Sequence, residues 1–157
     1  MDFNRFTEKL QEAVRAAQGK AVRYGHQQVD VEHLLAALLE QEGGLSTSIL
    51  TRSGIPVEAL KRRLESELER LPKVSGPSGG VDQIYVTARL NKLLAEAGDE
   101  ARKLKDEYVS VEHVLLAAVD FKDLGVTRER LMQALREVRG SLAQGLHEAL
   151  ARDPEVL

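Results

Sequence analysis

Apolar residues recur along this chain at three- and four-residue spacing. Phe6, Leu10, Ala13, Val14, Ala17, Ala21 and Tyr24 form one series, and Leu90, Leu93, Leu94, Ala97, Ala101 and Leu104 form another. That period predicts two amphipathic helices, each with one stripe to bury. Much of each stripe is Ala, which lets neighbouring helices approach closely. Two further runs, Leu34-Leu35-Ala36-Ala37-Leu38-Leu39 and Val114-Leu115-Leu116-Ala117-Ala118-Val119, are apolar nearly all round, as expected of central, buried helices. Asp30 and Ser110 stand before them as N-caps whose side chains accept from first-turn amides. Glu32 and Glu112 fall in the first turn, where the helix dipole favours negative charge.

These pairs are one repeat seen twice. Residues 7–38 align with 87–118 without gaps, and ten of the 32 positions are identical: Thr7, Leu10, Ala17, Ala21, Val29, Val31, Glu32, His33, Leu35 and Ala37. Chance would give about two at ordinary amino-acid frequencies. The first copy continues through a Gly43-Gly44 break into a short helix over Leu45–Ser53, ended by Gly54. Pro56 opens the next helix, whose stripe is Val57, Leu60, Leu64, Leu68 and Leu71 before Pro72 stops it.

The second copy is shorter. Gly125-Val126-Thr127 matches Gly54-Ile55-Pro56 at an offset of 71 instead of 80, so nine residues are gone. The short third helix is expected to be missing there, or reduced to a turn at Phe121–Leu124. A last helix follows with Thr127 as N-cap, Leu131, Leu135 and Val138 as its stripe, and Gly140 at its end. The expected organisation is therefore a first repeat over 1–71, a Gly/Pro/Ser-rich linker over 72–85, a second repeat over 86–140 and a tail over 141–157. Leu142, Leu146 and Leu150 in that tail have helical spacing. The fold class is all-α: a pseudo-twofold, duplicated helical bundle.

Composition narrows the chemistry. The 157 residues are 43 % hydrophobic but only 4 % aromatic, with no Trp, so the core is Leu, Val and Ala. With no Cys, disulfides, zinc-thiolate sites and thiol nucleophiles are excluded. The net charge of −3 lacks the basic excess of a nucleic-acid binder. Met1-Asp2-Phe3-Asn4-Arg5 does not read as a signal peptide, and no run approaches the ~18 apolar residues of a membrane span. A cytoplasmic location is expected.

Catalytic motifs are not evident. The repeated Glu-His pairs, Glu32-His33 and Glu112-His113, invite a metal reading, but the usual zinc helix needs two His at i and i+4. Capping and packing explain both pairs through the duplication. His26 and His147 are isolated. Gly76-Pro77-Ser78-Gly79-Gly80 is not followed by the Gly-Lys-Ser/Thr of a phosphate loop. The pairs Glu58/Arg62, Lys61/Glu65 and Arg63/Glu67, spaced i, i+4, read as a solvated helix face. Gly19 and Gly98 lie inside predicted helices, each at a cost of ~1 kcal/mol relative to Ala; close packing and simple tolerance both account for them. Neither a catalytic residue, a cofactor nor a metal is expected in this chain.

The repeat itself resembles the N-terminal repeat of the Clp family of AAA+ unfoldases. The resemblance rests on Phe6-Thr7, Gly25-His26, Val31-Glu32-His33-Leu34-Leu35-Ala36-Ala37-Leu38, Glu42-Gly43-Gly44 and Gly54-Ile55, in that order, and it covers roughly residues 1–140. Leu71-Pro72-Lys73-Val74 and Arg136-Glu137-Val138-Arg139-Gly140 are most similar to the ClpB-type disaggregases. The resemblance implies a bundle of about eight short helices that engages unfolded or aggregated polypeptide. It also implies a parent hexamer whose ATPase modules use ATP and magnesium. The alternatives are docking of an adaptor protein, as in protease-linked Clp unfoldases, and regulatory packing on the ATPase ring. No nucleic-acid or membrane partner is expected, and the isolated domain is expected to be a monomer. In the ClpB type, polar positions matching Thr7, Asp106 and Glu112 are associated with substrate handling. A groove near Leu94, Tyr108 and Val114 is the expected apolar partner surface. The same three polar residues also suit structural roles: a first-turn cap, a loop-turn residue and a dipole partner.

Overall fold

The computed structural model describes residues 3–74 and 84–152. A 3-10 turn, Phe3–Arg5, leads into α1 (Glu8–Tyr24), a two-residue strand β1 (Gln28–Val29), α2 (Val31–Glu40), α3 (Leu45–Arg52) and α4 (Val57–Arg70). The second repeat runs through β2 (Tyr85–Val86), α5 (Ala88–Lys103), α6 (Val111–Ala118) and α7 (Arg128–Arg152). The fold is the expected duplicated helical bundle. The second copy lacks a counterpart of α3: residues 119–127 make turns and bends instead.

The two repeats interlock. β1 of the first repeat pairs in parallel with β2, which opens the second, in the register Val29↔Val86. The mirror contact is an isolated parallel bridge between Phe6, just ahead of α1, and Val109 of the second repeat. Shifting residue numbers by 80 converts one contact into the other. Each repeat thus inserts its entry segment beside the other repeat, which generates a pseudo-dyad. α3 crosses over as well, packing on α6 and α7. The result is one continuous core, from Leu10 and Leu34 through Leu93 and Leu115 to Leu131 and Leu135.

Local chemistry sets the helix ends. Thr7 and Thr87 both adopt extended N-cap backbone and accept the Leu10 and Leu90 amides at 3.2 and 3.0 Å. α1 ends at Gly25 with φ of 76°, and the His26 amide reaches back to the Ala21 carbonyl at 2.8 Å. α5 ends in the same way, but the left-handed position is held by Lys105 at φ of 60°, with the Asp106 amide on the Ala101 carbonyl at 2.9 Å. α2 and α6 are buried along nearly their whole length.

Two expectations need correction. Gly140 does not end the last helix: α7 continues through it to Arg152, because one glycine costs a helix only ~1 kcal/mol and the tail's helical spacing continues the same element. The end of the supposed linker is also structured. The Val74 amide donates to the Gly25 carbonyl at 2.7 Å, and Tyr85 and Val86 form β2. The Gly-rich residues 75–83, the side chains of Leu146, His147 and Leu150, and the last five residues lie outside the described set.

Candidate client-binding groove

The first helices of the two repeats, α1 and α5, flank an apolar cavity of about 140 Å³ lined by Val14, Ala17, Leu90, Leu94, Val86 and Phe3. Val14 and Leu94 are equivalent in the duplication, so the cavity lies beside the pseudo-dyad. A second cavity, about 370 Å³ and more polar, continues along the same stripe of α5, from Ala95 and Gly98 to Arg102. Arg5, Phe6, Asp106 and Val109 close its other sides. Gly98 stands where α1 has Gln18, and a Cβ added there would meet nothing within 4 Å. Close packing therefore does not explain Gly98; its missing side chain leaves the cavity open.

The expected site residues are distributed unevenly about these cavities. Leu94 lines the apolar one, and Asp106 lines the polar one. Val114 is fully buried in the core, so a client cannot reach it without unfolding α6. Tyr108 is 52 % exposed and lines neither cavity. Thr7 caps α1 and ties the repeats together through its amide, which donates to the Val109 carbonyl at 2.9 Å.

Asp106 and Glu112 do come together, but around a residue the spacing had not flagged. Arg139 of α7 donates to Asp106 Oδ2 at 2.9 Å and lies 3.6 Å from the Glu112 carboxylate. His113 supplies a second hydrogen bond. Its Nδ1 accepts the Ser110 amide at 2.8 Å, which places the proton on Nε2, and Nε2 donates to Asp106 Oδ2 at 2.7 Å. Burial alone would raise the Asp106 pKa, but the bonds from Arg139 and His113 outweigh it and hold the carboxyl below its ordinary value. The Ser110-His113-Asp106 chain has the order of a hydrolase triad. Here it is a helix cap: the serine hydroxyl accepts the His113 amide, and the imidazole is sealed from solvent.

The first repeat builds a parallel network. Arg89 of α5 donates to Glu32 at 2.9 Å, to Asp30 at 3.3 Å and to the Phe121 carbonyl at 2.7 Å. Lys122 bridges Glu32 and Glu67. Burial would raise the Glu32 pKa, yet Arg89 and Lys122 pull it below the usual range. Both first-turn glutamates are therefore neutralised by cations from the last helices or the other repeat. Among the described residues, no group of three or more His, Asp or Glu converges in a way that could hold a metal ion.

Comparison with known proteins agrees with this architecture. Residues 5–134 match the model of the Clp repeat (R) N-terminal domain. Over 149 residues, 90 % of this chain, it is 45 % identical to the chaperone protein ClpB of Bacillus cereus; over 151 residues, also 90 %, it is 46 % identical to ClpB of Nitratidesulfovibrio vulgaris. The chain spans 17 % and 18 % of those relatives. The same fold occurs in the Hsp104 N-terminal domain from Candida albicans (TM-score 0.71, 24 % identity, 87 % of this chain and 92 % of that one). It also occurs in a ClpV N-domain solved in complex with a VipB peptide (TM-score 0.68, 21 % identity, 82 % of each chain).

Proposed function

The chain belongs to the Clp repeat N-terminal domain family, and from that premise we propose that it engages unfolded or aggregated polypeptide for a ClpB-type disaggregase. The observation that carries this reading is the apolar cavity between α1 and α5. It is open to solvent, flanked by the exposed side chains of Phe3 and Val86, and backed by the fixed core of both repeats.

The size of the cavity sets the strength of binding. A volume of about 140 Å³ accepts roughly one large apolar side chain, and burying one such side chain contributes ~2 kcal/mol. After the cost of ordering the client, contacts of this kind are weak and exchange rapidly. Weak binding suits a module that presents a segment and then releases it to a pore. ATP and magnesium would act in the parent's ATPase modules, where the threading force originates, and the cytoplasm is the setting for this role. Among the described residues, no helix is long and apolar enough to cross a membrane.

Charge has a smaller part than the acidic residues suggest. Asp106 and Glu112 share Arg139, so they do not act as a free acidic rim selecting basic clients. Their work is to fix the position of α6 and α7 behind the polar cavity.

Adaptor docking is the second reading, and the ClpV N-domain bound to a VipB peptide favours it, since that related fold holds one defined partner. A methyl-resolved NMR titration with a permanently unfolded protein separates the two. Shifts centred on Val14, Leu90 and Leu94 support client engagement. Their absence at high client concentration overturns it and leaves adaptor docking or ring regulation.

A further inference from the structure

The apolar cavity has two arms that differ in chemistry. On the α5 side, Gly98 and Arg102 lead away from Leu94 into the polar cavity, whose other walls include Arg5, Phe6, Asp106 and Val109. The shift of 80 residues gives the counterpart of each wall across the pseudo-dyad: Gln18, Val22, Tyr85, Val86, His26 and Val29, in the same order. The α1 side therefore repeats the frame of the polar cavity with other side chains. Gln18 and Val86 are themselves walls of the apolar cavity, so this second arm is continuous with it.

Where the α5 arm carries the guanidinium groups of Arg102 and Arg5, the α1 arm carries Val22 and Tyr85. These are 55 % and 53 % exposed, and Val86 beside them is 40 % exposed. Among the described residues eight large apolar side chains are exposed, and four of them, Phe3, Val22, Tyr85 and Val86, border the cavity or this arm. Single exposed apolar residues are ordinary, whereas a contiguous group marks an interaction surface. The arm is also preformed. The Tyr85 and Thr87 amides donate to the Gln27 and Val29 carbonyls at 2.9 and 3.1 Å, and Val22 rides on α1, whose Ala17 and Ala21 are fixed in the core. His26 and Val29 are buried beneath it. No backbone has to move for a ligand to reach this shelf.

We propose that the Val22–Tyr85–Val86 shelf is the second contact of the client groove, and that the groove takes an extended segment with its apolar residues clustered to one side. One apolar side chain fills the cavity, a second aliphatic or aromatic side chain lies on the shelf, and polar residues continue along α5. The inference rests on the client-binding reading above and names the class of segment that the site takes. Each arm runs ~12 Å along its helix, from Val14 to Val22 and from Leu94 to Arg102, which about four extended residues span. The pseudo-dyad makes the two arms alike in frame, and positions 22 and 85 against 102 and 5 make them unlike in chemistry. A segment with one apolar residue gains the cavity alone. A segment with an apolar cluster gains the shelf as well, and such clusters are exposed by unfolded chains far more than by folded surfaces.

The test measures the affinity of the 157-residue chain and of two variants for reduced, alkylated α-lactalbumin, a permanently unfolded probe. Val22→Gln and Tyr85→Thr each replace an exposed apolar side chain by a polar one that suits its helix or strand, and thermal melts check that both variants stay folded. Each is expected to weaken binding about three- to fivefold, the loss of a partly buried apolar contact. Two heptapeptides supply the second readout: one with a central Leu among Ser and Gln, the other with a Val added two positions from that Leu. The added Val should tighten binding several-fold to the unaltered chain and should gain little in Val22→Gln. In the unaltered chain, the second peptide should also shift the Val22 methyl resonances together with those of Leu94. If the unaltered chain binds the probe, and Val22→Gln and Tyr85→Thr bind it equally well, the shelf is overturned and the client reading stands. Leu94 shifts with no change at Val22 have the same meaning. If the unaltered chain binds neither the probe nor the peptides, the client reading is overturned, and the shelf falls with it.

Discussion

His33 Nε2 lies 2.8 Å from His26 Nδ1, at the place where the second repeat sets His113 against Asp106. Residues 26 and 106 are equivalent in the duplication, and so are 33 and 113. Both histidines occupy the third position of their helices and accept the N-cap amide, from Asp30 at 2.9 Å and from Ser110 at 2.8 Å. They do the work that Glu or Gln does in an ordinary capping box. The partner on the far side of the ring is what differs: a neutral imidazole in one repeat, a carboxylate in the other.

That difference makes the first repeat acid-sensitive. Both nitrogens of His33 are committed, Nδ1 as acceptor and Nε2 as donor to His26, so a second proton has no partner. Burial and the neighbouring His26 lower its pKa to about 4, against an unfolded value near 6.5. The unfolded chain thus binds the extra proton across this interval. His33 contributes its full share above pH 6.5, the contribution declines as pH falls towards 4, and the total loss is ~3 kcal/mol. Glu32, Glu100 and Asp106, whose pKa values are lowered, add a further loss that sets in as pH falls through about 4.5, the unfolded glutamate range, and continues below it. Thermal melts from pH 7.5 to 3.5 should show both stages. His33→Gln keeps a capping side chain without the titration, and should shrink the first stage to what His26, whose pKa burial also lowers, contributes, while leaving the second.

Asp106→Ala should act on stability first. It leaves the half of His113 that faces it without an acceptor and Arg139 with Glu112 alone, a cost of roughly 2 kcal/mol. Thr7→Ala removes an N-cap and should cost ~1 kcal/mol. Chemical denaturation gives both values. Client affinity, measured well below the melting temperature, should change less than twofold in either variant. A large affinity loss in a fully folded Asp106→Ala protein would return these residues to the binding surface.

Arg89 joins three segments with one guanidinium: the start of α5, the N-terminus of α2 and the turn at Phe121. Arg89→Met keeps the apolar stem and removes those bonds. The expected loss is about 1–3 kcal/mol, moderated because Lys122 still faces Glu32. Hydrogen exchange should quicken at the α2 N-terminus and at residues 119–124, far from the substitution in sequence but beside it in space.

The duplication and the two apolar-all-round helices were legible from residue spacing alone, because burial on every side leaves a continuous Leu/Val/Ala run. The first-turn role of the Glu-His pairs was legible too. The ionic partners were not. Arg139 is 33 residues from Asp106 and Arg89 is 57 from Glu32, and no local period reports a contact between segments so far apart in sequence. The apolar groove was half legible: Leu94 belongs to it, but Val114 shares the same helical pattern and points into the core. Spacing identifies the stripe of a helix that is buried. It does not tell which end of the stripe meets a neighbour and which end meets a cavity.

Lys105 holds a left-handed backbone where the first repeat uses Gly25. A side chain in that region costs roughly 1 kcal/mol, so Lys105→Gly should stabilise the protein, with the gain reduced by glycine's greater freedom in the unfolded chain. A rise in the unfolding free energy of up to about 1 kcal/mol, read from chemical denaturation, is expected, with client affinity unchanged because Lys105 lines neither cavity.

Gly98→Ala separates stability from binding. The added methyl meets open space and improves helix propensity, so the fold should gain up to ~1 kcal/mol. The same methyl enters the polar cavity on the α5 stripe that a client would follow. If a client runs along the α5 stripe from the apolar cavity into the polar one, Gly98→Ala should weaken long unfolded chains by several-fold while sparing a short apolar peptide that fills only the Val14/Leu94 end. Gly98→Leu should deepen that contrast. Calorimetric titration with a hexapeptide and with reduced, alkylated α-lactalbumin decides it. Equal weakening of both ligands would mean that Gly98 borders the primary contact, and no weakening of either would confine the client to the apolar cavity.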